Sequence, residues 1–217
     1  MINKYIKTIP KYLIDRFKGW KATTFEDNKS WYQRLAAHGQ NPRAMVISCC
    51  DSRVHATAMF GADTGEFFIH RNIANLIPPF KPDGDHHGTS AAIEFAVSSL
   101  KVAHIIVLGH SSCGGISNGY HYCKNNNKSE EGFIFVNKWL NILKPAFEKL
   151  PQNLDDDASI QVLEKESIKV SIANLVEFPF VKNALEKNEL IIHGLWHDIG
   201  TGALEMLEPK SLDFIKV

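Results

Sequence analysis

Short apolar runs alternate along this chain with stretches of helical period. Ala44-Met45-Val46-Ile47-Ser48-Cys49, bounded upstream by Asn41-Pro42, has the continuous apolar character of a buried strand. Glu66 to Arg71 reads as a second strand, His104 to Leu108 as a third, Leu190 to Ile199 as a fourth, and Gly202 to Leu207 as a short fifth that pairs with the fourth. A short helix from about Val54 lies between the first two. The Pro- and Gly-rich stretch Ile77 to Gly88 predicts a loop. Thr89 or Ser90 then caps a helix to about Leu100, with Ile93, Ala96, Val97 and Leu100 on one face. Gly114-Gly115 opens another helix, the polar stretch Tyr122 to Glu131 reads as exposed, and helical period returns from Phe133 to Phe147. A long helix follows Asp155-Asp156-Asp157, whose charges suit a helix N-terminus, and Pro179 interrupts it near Phe178. The order predicts an α/β fold: a mostly parallel central sheet of four strands plus a short fifth, flanked by helices, with an N-terminal helical extension over 1–37, all in one domain spanning 1–217.

Composition narrows the partners. A chain of 217 residues with 44% apolar content buries roughly 70% of the surface its unfolded form exposes, enough for one core without disulfides. Twenty-four basic residues balance 24 acidic ones, so no global field favours nucleic acid, and a small-molecule partner is expected. The four cysteines lack the spacing of a disulfide framework, and thiolate chemistry needs a reducing compartment, so the cytoplasm is the expected location. Lys4, Lys7, Lys11, Arg16 and Lys18 alternate with Ile6, Tyr12, Leu13, Phe17 and Trp20 without forming a continuous apolar core. That excludes a signal peptide or membrane span here and favours a surface helix covering a neighbouring subunit over one lying on a membrane.

Candidate chemistry concentrates in two runs, Cys49-Cys50-Asp51-Ser52-Arg53 and Gly109-His110-Ser111-Ser112-Cys113-Gly114-Gly115. Cys49, His110 and Cys113 offer two thiolates and one imidazole to a single metal. Structural zinc sites fill all four positions with protein ligands, whereas catalytic ones keep one open. Both runs follow predicted strands, at the carboxyl ends where open α/β sheets bind ligands. Asp51 and Arg53 are spaced to form a bidentate pair beside the metal. The carboxylate there would accept a proton from metal-bound hydroxide, or ligate the metal itself and close the site, or serve only as a structural ion pair. Zinc suits a sulfur-rich tetrahedral site and lowers the pKa of bound water to near 7 in good cases.

These motifs resemble the β-class carbonic anhydrases. The resemblance rests on C-x-D-S-R at Cys49 to Arg53, H-x-x-C-G-G at His110 to Gly115, and the run Gly65 to Asn75. It continues through Ser90 to Val97, Glu166-Ser167, Asn174-Leu175, Phe178 to Val181 and His193-Gly194, covering most of residues 30–207. It implies reversible hydration of carbon dioxide to bicarbonate and a proton by hydroxide on one zinc ion per chain, held by Cys49, His110 and Cys113, with Asp51 and Arg53 as the family's dyad. It also implies a substrate pocket of Gln40, Phe68, Ile73 and Phe95, where many members have Tyr in place of Phe95. One type in the family carries an inhibitory bicarbonate pocket built on a Trp three residues before the first ligand. Val46 stands there in this chain, so cooperative bicarbonate inhibition is not expected. A homodimer formed through the sheet and exchanged N-terminal helices, or a higher homo-oligomer, is implied as well.

Rival readings keep the same residues. Some proteins resembling this family hydrolyse carbonyl sulfide or carbon disulfide, and a non-catalytic zinc or bicarbonate-binding module is a third possibility, disfavoured by the presence of both Asp51 and Arg53. Cys50 is read as a buried thiol pointing away from Cys49, and Cys123 as a bystander. His86 and His87 are candidate proton relays, while His70 and His197 are left unassigned.

Overall fold

The computed structural model describes residues 2, 5–84, 87–126 and 133–217, so His86 lies outside the described residues. The chain divides into two compact units, Met1–Gln40 and Asn41–Val217. The first holds α1 (Lys11–Trp20), which starts directly after Pro10, a π-helical turn at Lys21–Phe25, and α2 (Lys29–His38). Neither α1 nor α2 has a buried residue. Trp20 stacks on Phe25 and Tyr32 at ring separations of 5.6 and 5.9 Å, while Leu13 and Phe17 stay exposed.

The second unit is built on β1 (Ala44–Cys49), α3 (Ala56–Met59), β2 (Phe67–Asn72), α4 (His87–Glu94), β3 (His104–His110) and α5 (Gly114–Lys124). After these come α6 (Ile134–Leu140), α7 (Lys144–Phe147), α8 (Asp156–Val176), α9 (Pro179–Glu186), β4 (Ile191–His197), β5 (Leu204–Leu207) and β6 (Phe214–Lys216). The strands form one six-stranded sheet ordered β2-β1-β3-β4-β5-β6. The first three pairings are parallel, and the β4–β5 and β5–β6 pairings are antiparallel. The expected five strands therefore become six. The extra one is only three residues long and lies in a polar tail, too short for an alternation pattern to register.

Interior strands bury both faces, which explains why they read as unbroken apolar runs. Met45, Ile47, Ile105 and Val107 join a core beneath α8, α9 and the helix from His87, whereas Val46, Leu108 and Leu195 belong to a smaller cluster on the opposite face with Val54 and Ala56. A third cluster packs α5, α6 and α7 around Ile116, Leu140 and Leu143.

Three local features depart from expectation. The helix expected to open at Thr89 or Ser90 starts at His87, so Thr89 sits within its first turn and uses its hydroxyl on His70 Nε2 (2.9 Å) and Asn72 Nδ2 (3.2 Å). That helix closes in a π turn at Phe95–Ser99. The stretch 133–147 is broken by a 3-10 turn at Asn141–Leu143, because Pro145, at the start of α7, has no N–H to continue an α-helical ladder. The stop before Pro179 falls as the sequence implies: α8 ends at Val176 and α9 opens with Pro179.

Candidate metal centre

Strand order reverses at β1, which has β2 on one side and β3 on the other. A crevice opens at such a switch point beyond the carboxyl ends of the strands. Cys49 is the last residue of β1, and His110 is the last residue of β3, which runs two residues further than expected. Cys113 follows as the N-cap of α5. One sulfur or nitrogen from each lies within 4.8 Å of the others, and all three residues are buried.

The geometry fits a metal. Two sulfurs each about 2.3 Å from a tetrahedral zinc lie roughly 3.8 Å apart, and Cys49 Sγ and Cys113 Sγ are separated by 3.9 Å. His110 Nδ1 faces the Ser111 carbonyl at 2.8 Å. A carbonyl only accepts, so Nδ1 carries the hydrogen and Nε2 keeps its lone pair. Nε2 is buried and makes no hydrogen bond. An orphaned imidazole lone pair beside two sulfurs is costly unless a cation takes it up.

Without a cation the thiols divide one charge between them. Cys49 is lowered, first by a hydrogen bond from Cys113, against the effect of burial, and further by His110 and the backbone N–H groups of Asp51 and Ala74. Cys113 is raised by the Cys49 thiolate and by burial. A divalent ion would stabilise both as thiolates. Burial works against a charged His110, but the Cys49 thiolate and the Ser111 carbonyl outweigh it and leave the ring raised.

Asp51 and Arg53 meet as a fork. Asp51 Oδ1 accepts from Arg53 Nε at 2.9 Å and from its backbone N–H at 2.9 Å, and Oδ2 accepts from Nη2 at 2.7 Å. These contacts hold the Asp51 carboxyl well below the usual carboxylate range. Arg53 Nη2 also donates to the Ser112 carbonyl at 3.0 Å, tying the first motif to the second. Ser112 adopts φ +54°, a left-handed conformation uncommon outside glycine.

Two supporting residues carried no assigned role in the sequence reading. Arg71 on β2 donates to the carbonyls of Cys49, Asp51 and Val54, at 2.8, 2.6 and 2.8 Å, pinning the loop that bears the first ligand. Glu164 on α8 is 2% exposed and accepts from the Cys113 N–H at 3.1 Å and from Trp196 Nε1 at 3.3 Å. Burial raises its carboxyl against the pull of those donors. The signal for Glu164 was available: it occupies the same helical stripe as Leu163, Ser167, Ile168, Ser171 and Leu175, all buried, where a charge is out of place.

Of the residues expected to line a pocket, those in the second unit fall into two places. Ile73 follows β2 directly and lines a cavity of about 360 Å³ with Cys50, His70, Thr89 and Trp139. Phe68 pairs in register with Met45, whereas Asn72 pairs with Cys49. Four residues of strand, roughly 13 Å, thus separate Phe68 from the level of the first ligand. Phe95 stacks on Phe68 at 5.9 Å and is 47% exposed. Gln40 closes the N-terminal unit and is exposed. Cys50 was expected to be buried. It is exposed, because β1 ends one residue earlier and the chain turns outward there.

The family model described as carbonic anhydrase matches residues 44–204. The chain is 36% identical over 204 residues to beta carbonic anhydrase 3 of Arabidopsis thaliana, covering 91% of this chain and 75% of the relative. The chain belongs to the β-class carbonic anhydrases. Among solved structures, the beta-carbonic anhydrase CcaA superposes with a TM-score of 0.87 at 28% identity, covering 95% of this chain and 91% of that one. Tetrameric beta-carbonic anhydrases of Sordaria macrospora give 0.76 at 30% identity, covering 90% and 95%. This chain is therefore a carbonic anhydrase enzyme, and its Cys49, His110 and Cys113 form a group able to hold the metal that the class uses.

Proposed function

We propose that this carbonic anhydrase hydrates carbon dioxide reversibly to bicarbonate and a proton at one zinc ion held by Cys49 Sγ, His110 Nε2 and Cys113 Sγ. The observation that carries the reading is the bare, buried Nε2 of His110 beside two sulfurs at tetrahedral spacing. Zinc bound there would supply the Lewis acidity that brings the ionisation of water near neutral pH.

The chain's own part follows from Asp51. Fixed as a carboxylate by Arg53, it accepts hydrogen bonds and donates none. A neighbouring oxygen must therefore point its hydrogen at Asp51, leaving a lone pair free to face the substrate carbon. Arg71 holds the loop between Cys49 and Asp51, so ligand and acceptor keep one relative position.

Two further parts of the reading rest on exposed apolar surface. Leu13, Phe17 and Trp20 of the N-terminal unit are 42%, 57% and 40% exposed, and Ile69, Ile191 and Met206 on the sheet are 38%, 53% and 39% exposed. In the proposed homo-oligomer the arm of one copy packs on another, and Gln40, Phe68 and Phe95 wall the substrate pocket together with Ile73. Thiolate ligands favour a reducing compartment such as the cytoplasm. Among the described residues no helix is long and apolar enough to cross a membrane.

Stopped-flow carbon dioxide hydration, with zinc per chain determined on the same sample, tests the reading across about pH 6.5 to 9, a range that a zinc-lowered water pKa near 7 falls within. Activity rising with pH at one zinc per chain is expected. Full zinc with no hydration would overturn it.

A further inference from the structure

Glu164 contributes no metal ligand, yet it is a buried carboxylate directly behind the loop that carries one. Among the described residues its donors are neutral N–H groups: those of Cys113 and Ser112 in the backbone, and the indole of Trp196. The His110 ring acts on it only through space, and removing a carboxylate from water without a direct ion-pair partner is expensive, so an apolar residue on this stripe of α8 would pack at lower cost. The position of its hydrogen bonds supplies a reason for it.

The Cys113 N–H and the Ser112 carbonyl belong to the same peptide group, and that group is planar and stiff. Its N–H end is held by Glu164 Oε1 at 3.1 Å. Its carbonyl end accepts Arg53 Nη2 at 3.0 Å. Arg53 then grips Asp51 through Nε and Nη2. One amide plane thus has Glu164 on one side and the Asp51–Arg53 pair on the other. The orientation of that plane needs a holder, because Ser112 sits at φ +54°, a backbone state costing about 1–3 kcal/mol that persists only when its surroundings impose it. Were the plane to turn over, it would present an N–H to the Arg53 guanidinium and repel it. An anion on the N–H end also polarises the amide and strengthens the carbonyl as an acceptor.

We propose that Glu164 is a positioning residue that acts through the Ser112–Cys113 peptide to hold Arg53, and through Arg53 to fix Asp51 beside the metal ligands. This rests on the reading of Asp51 and Arg53 as the dyad of the proposed reaction.

The test is Glu164→Gln, which keeps the shape but turns an NH2 towards one of the N–H donors. Solvent exchange of the Arg53 Nε–H is followed by 15N NMR on zinc-loaded protein, the signal being assigned by its absence in Arg53→Lys. Exchange roughly tenfold faster is expected, the size that losing one hydrogen bond to a charged group produces. At equal zinc per chain, turnover should fall about tenfold, and Glu164→Gln should add little to Arg53→Ala, because both act on one unit. Unchanged Arg53 exchange, or losses that multiply in the double variant, would overturn the proposal. So would loss of zinc in Glu164→Gln, which would make Glu164 a support for Cys113 alone. If the Gln variant does not fold, Glu164→Asp retracts the oxygens by one methylene and is read the same way. Should the wild-type protein itself show no hydration, the catalytic reading fails while the Arg53 exchange still decides the positioning.

Discussion

Gly109 precedes His110 on β3, and replacing it with Ala would place a Cβ 2.7 Å from Ile168 Cδ1 and 3.0 Å from Ile168 Cγ1. Carbon atoms rest about 3.5–4.0 Å apart, so Ile168 would have to withdraw by roughly 0.8 Å or more. It has little freedom to do so: it is fully buried, and a Cβ at Gly194 would also lie only 3.0 Å from its Cγ2. Overpacking of this kind costs about 1–3 kcal/mol, offset by less than about 1 kcal/mol from the stiffer unfolded chain. At roughly 2–4 °C per kcal/mol for a chain of this size, Gly109→Ala should lower Tm by about 3–8 °C. Ile168→Val removes Cδ1, the atom in closest conflict. Alone it should cost about 0.5–1.5 kcal/mol, but in the Gly109→Ala background it should cost little or restore stability, a coupling of at least about 0.5 kcal/mol. Urea and thermal melts of the four proteins measure this cycle, with zinc per chain as the companion readout. Gly109→Ala as stable as wild type, or Ile168→Val equally costly in both backgrounds, would refute the claim that these glycines exist to seat α8 on the sheet.

His110→Ala should abolish stoichiometric zinc and activity together, measured by metal analysis after gel filtration; full zinc in the variant would remove His110 from the ligand set. Because Arg53 depresses the Asp51 carboxyl, that pair stabilises the fold at pH values above the unfolded carboxyl's pKa of about 3.9, and the contribution fades as pH falls towards the folded value. Metal-free Arg53→Ala should therefore trail wild type in Tm above about pH 5, with the gap closing in acid; a gap that widens on acidification would contradict the assignment. Arg71→Lys keeps the charge but not the fork, leaving at least one of three carbonyls without its donor. It should cost about 1–3 kcal/mol in denaturant melts, and no loss would show that the loop is held by other means. Gln40→Ala should lower kcat/KM for carbon dioxide with zinc retained, and loss of zinc would place Gln40 outside the substrate pocket.

How legible the molecule was depends on where its information lies. The runs at 44–49 and 104–108 were readable because interior parallel strands are apolar on both faces, and they brought Cys49 and His110 to neighbouring strand ends. Phe214–Lys216 was not readable, since a three-residue edge strand owes its existence to β5 rather than to its own pattern. Asp51 and Arg53 stood out because their bonding is local. Arg71 and Glu164 reach carbonyls and amides 17 to 22 and 51 positions away, contacts that periodicity does not encode. Cys50 was misplaced because strand alternation was carried one residue past the end of β1.

The separation of Glu164 from Cys113 has a consequence during synthesis. The two lie 51 positions apart, and at about 5–20 residues per second the chain exposes all three metal donors some 3–10 s before α8 supplies its carboxylate. In that interval two thiols and an imidazole stand at the ends of β1 and β3 without β4 to β6 or the α8 carboxylate that holds the Cys113 N–H. Copper outcompetes zinc for such donors wherever shape does not discriminate. The ion first taken up would then depend on timing and cellular supply as much as on affinity.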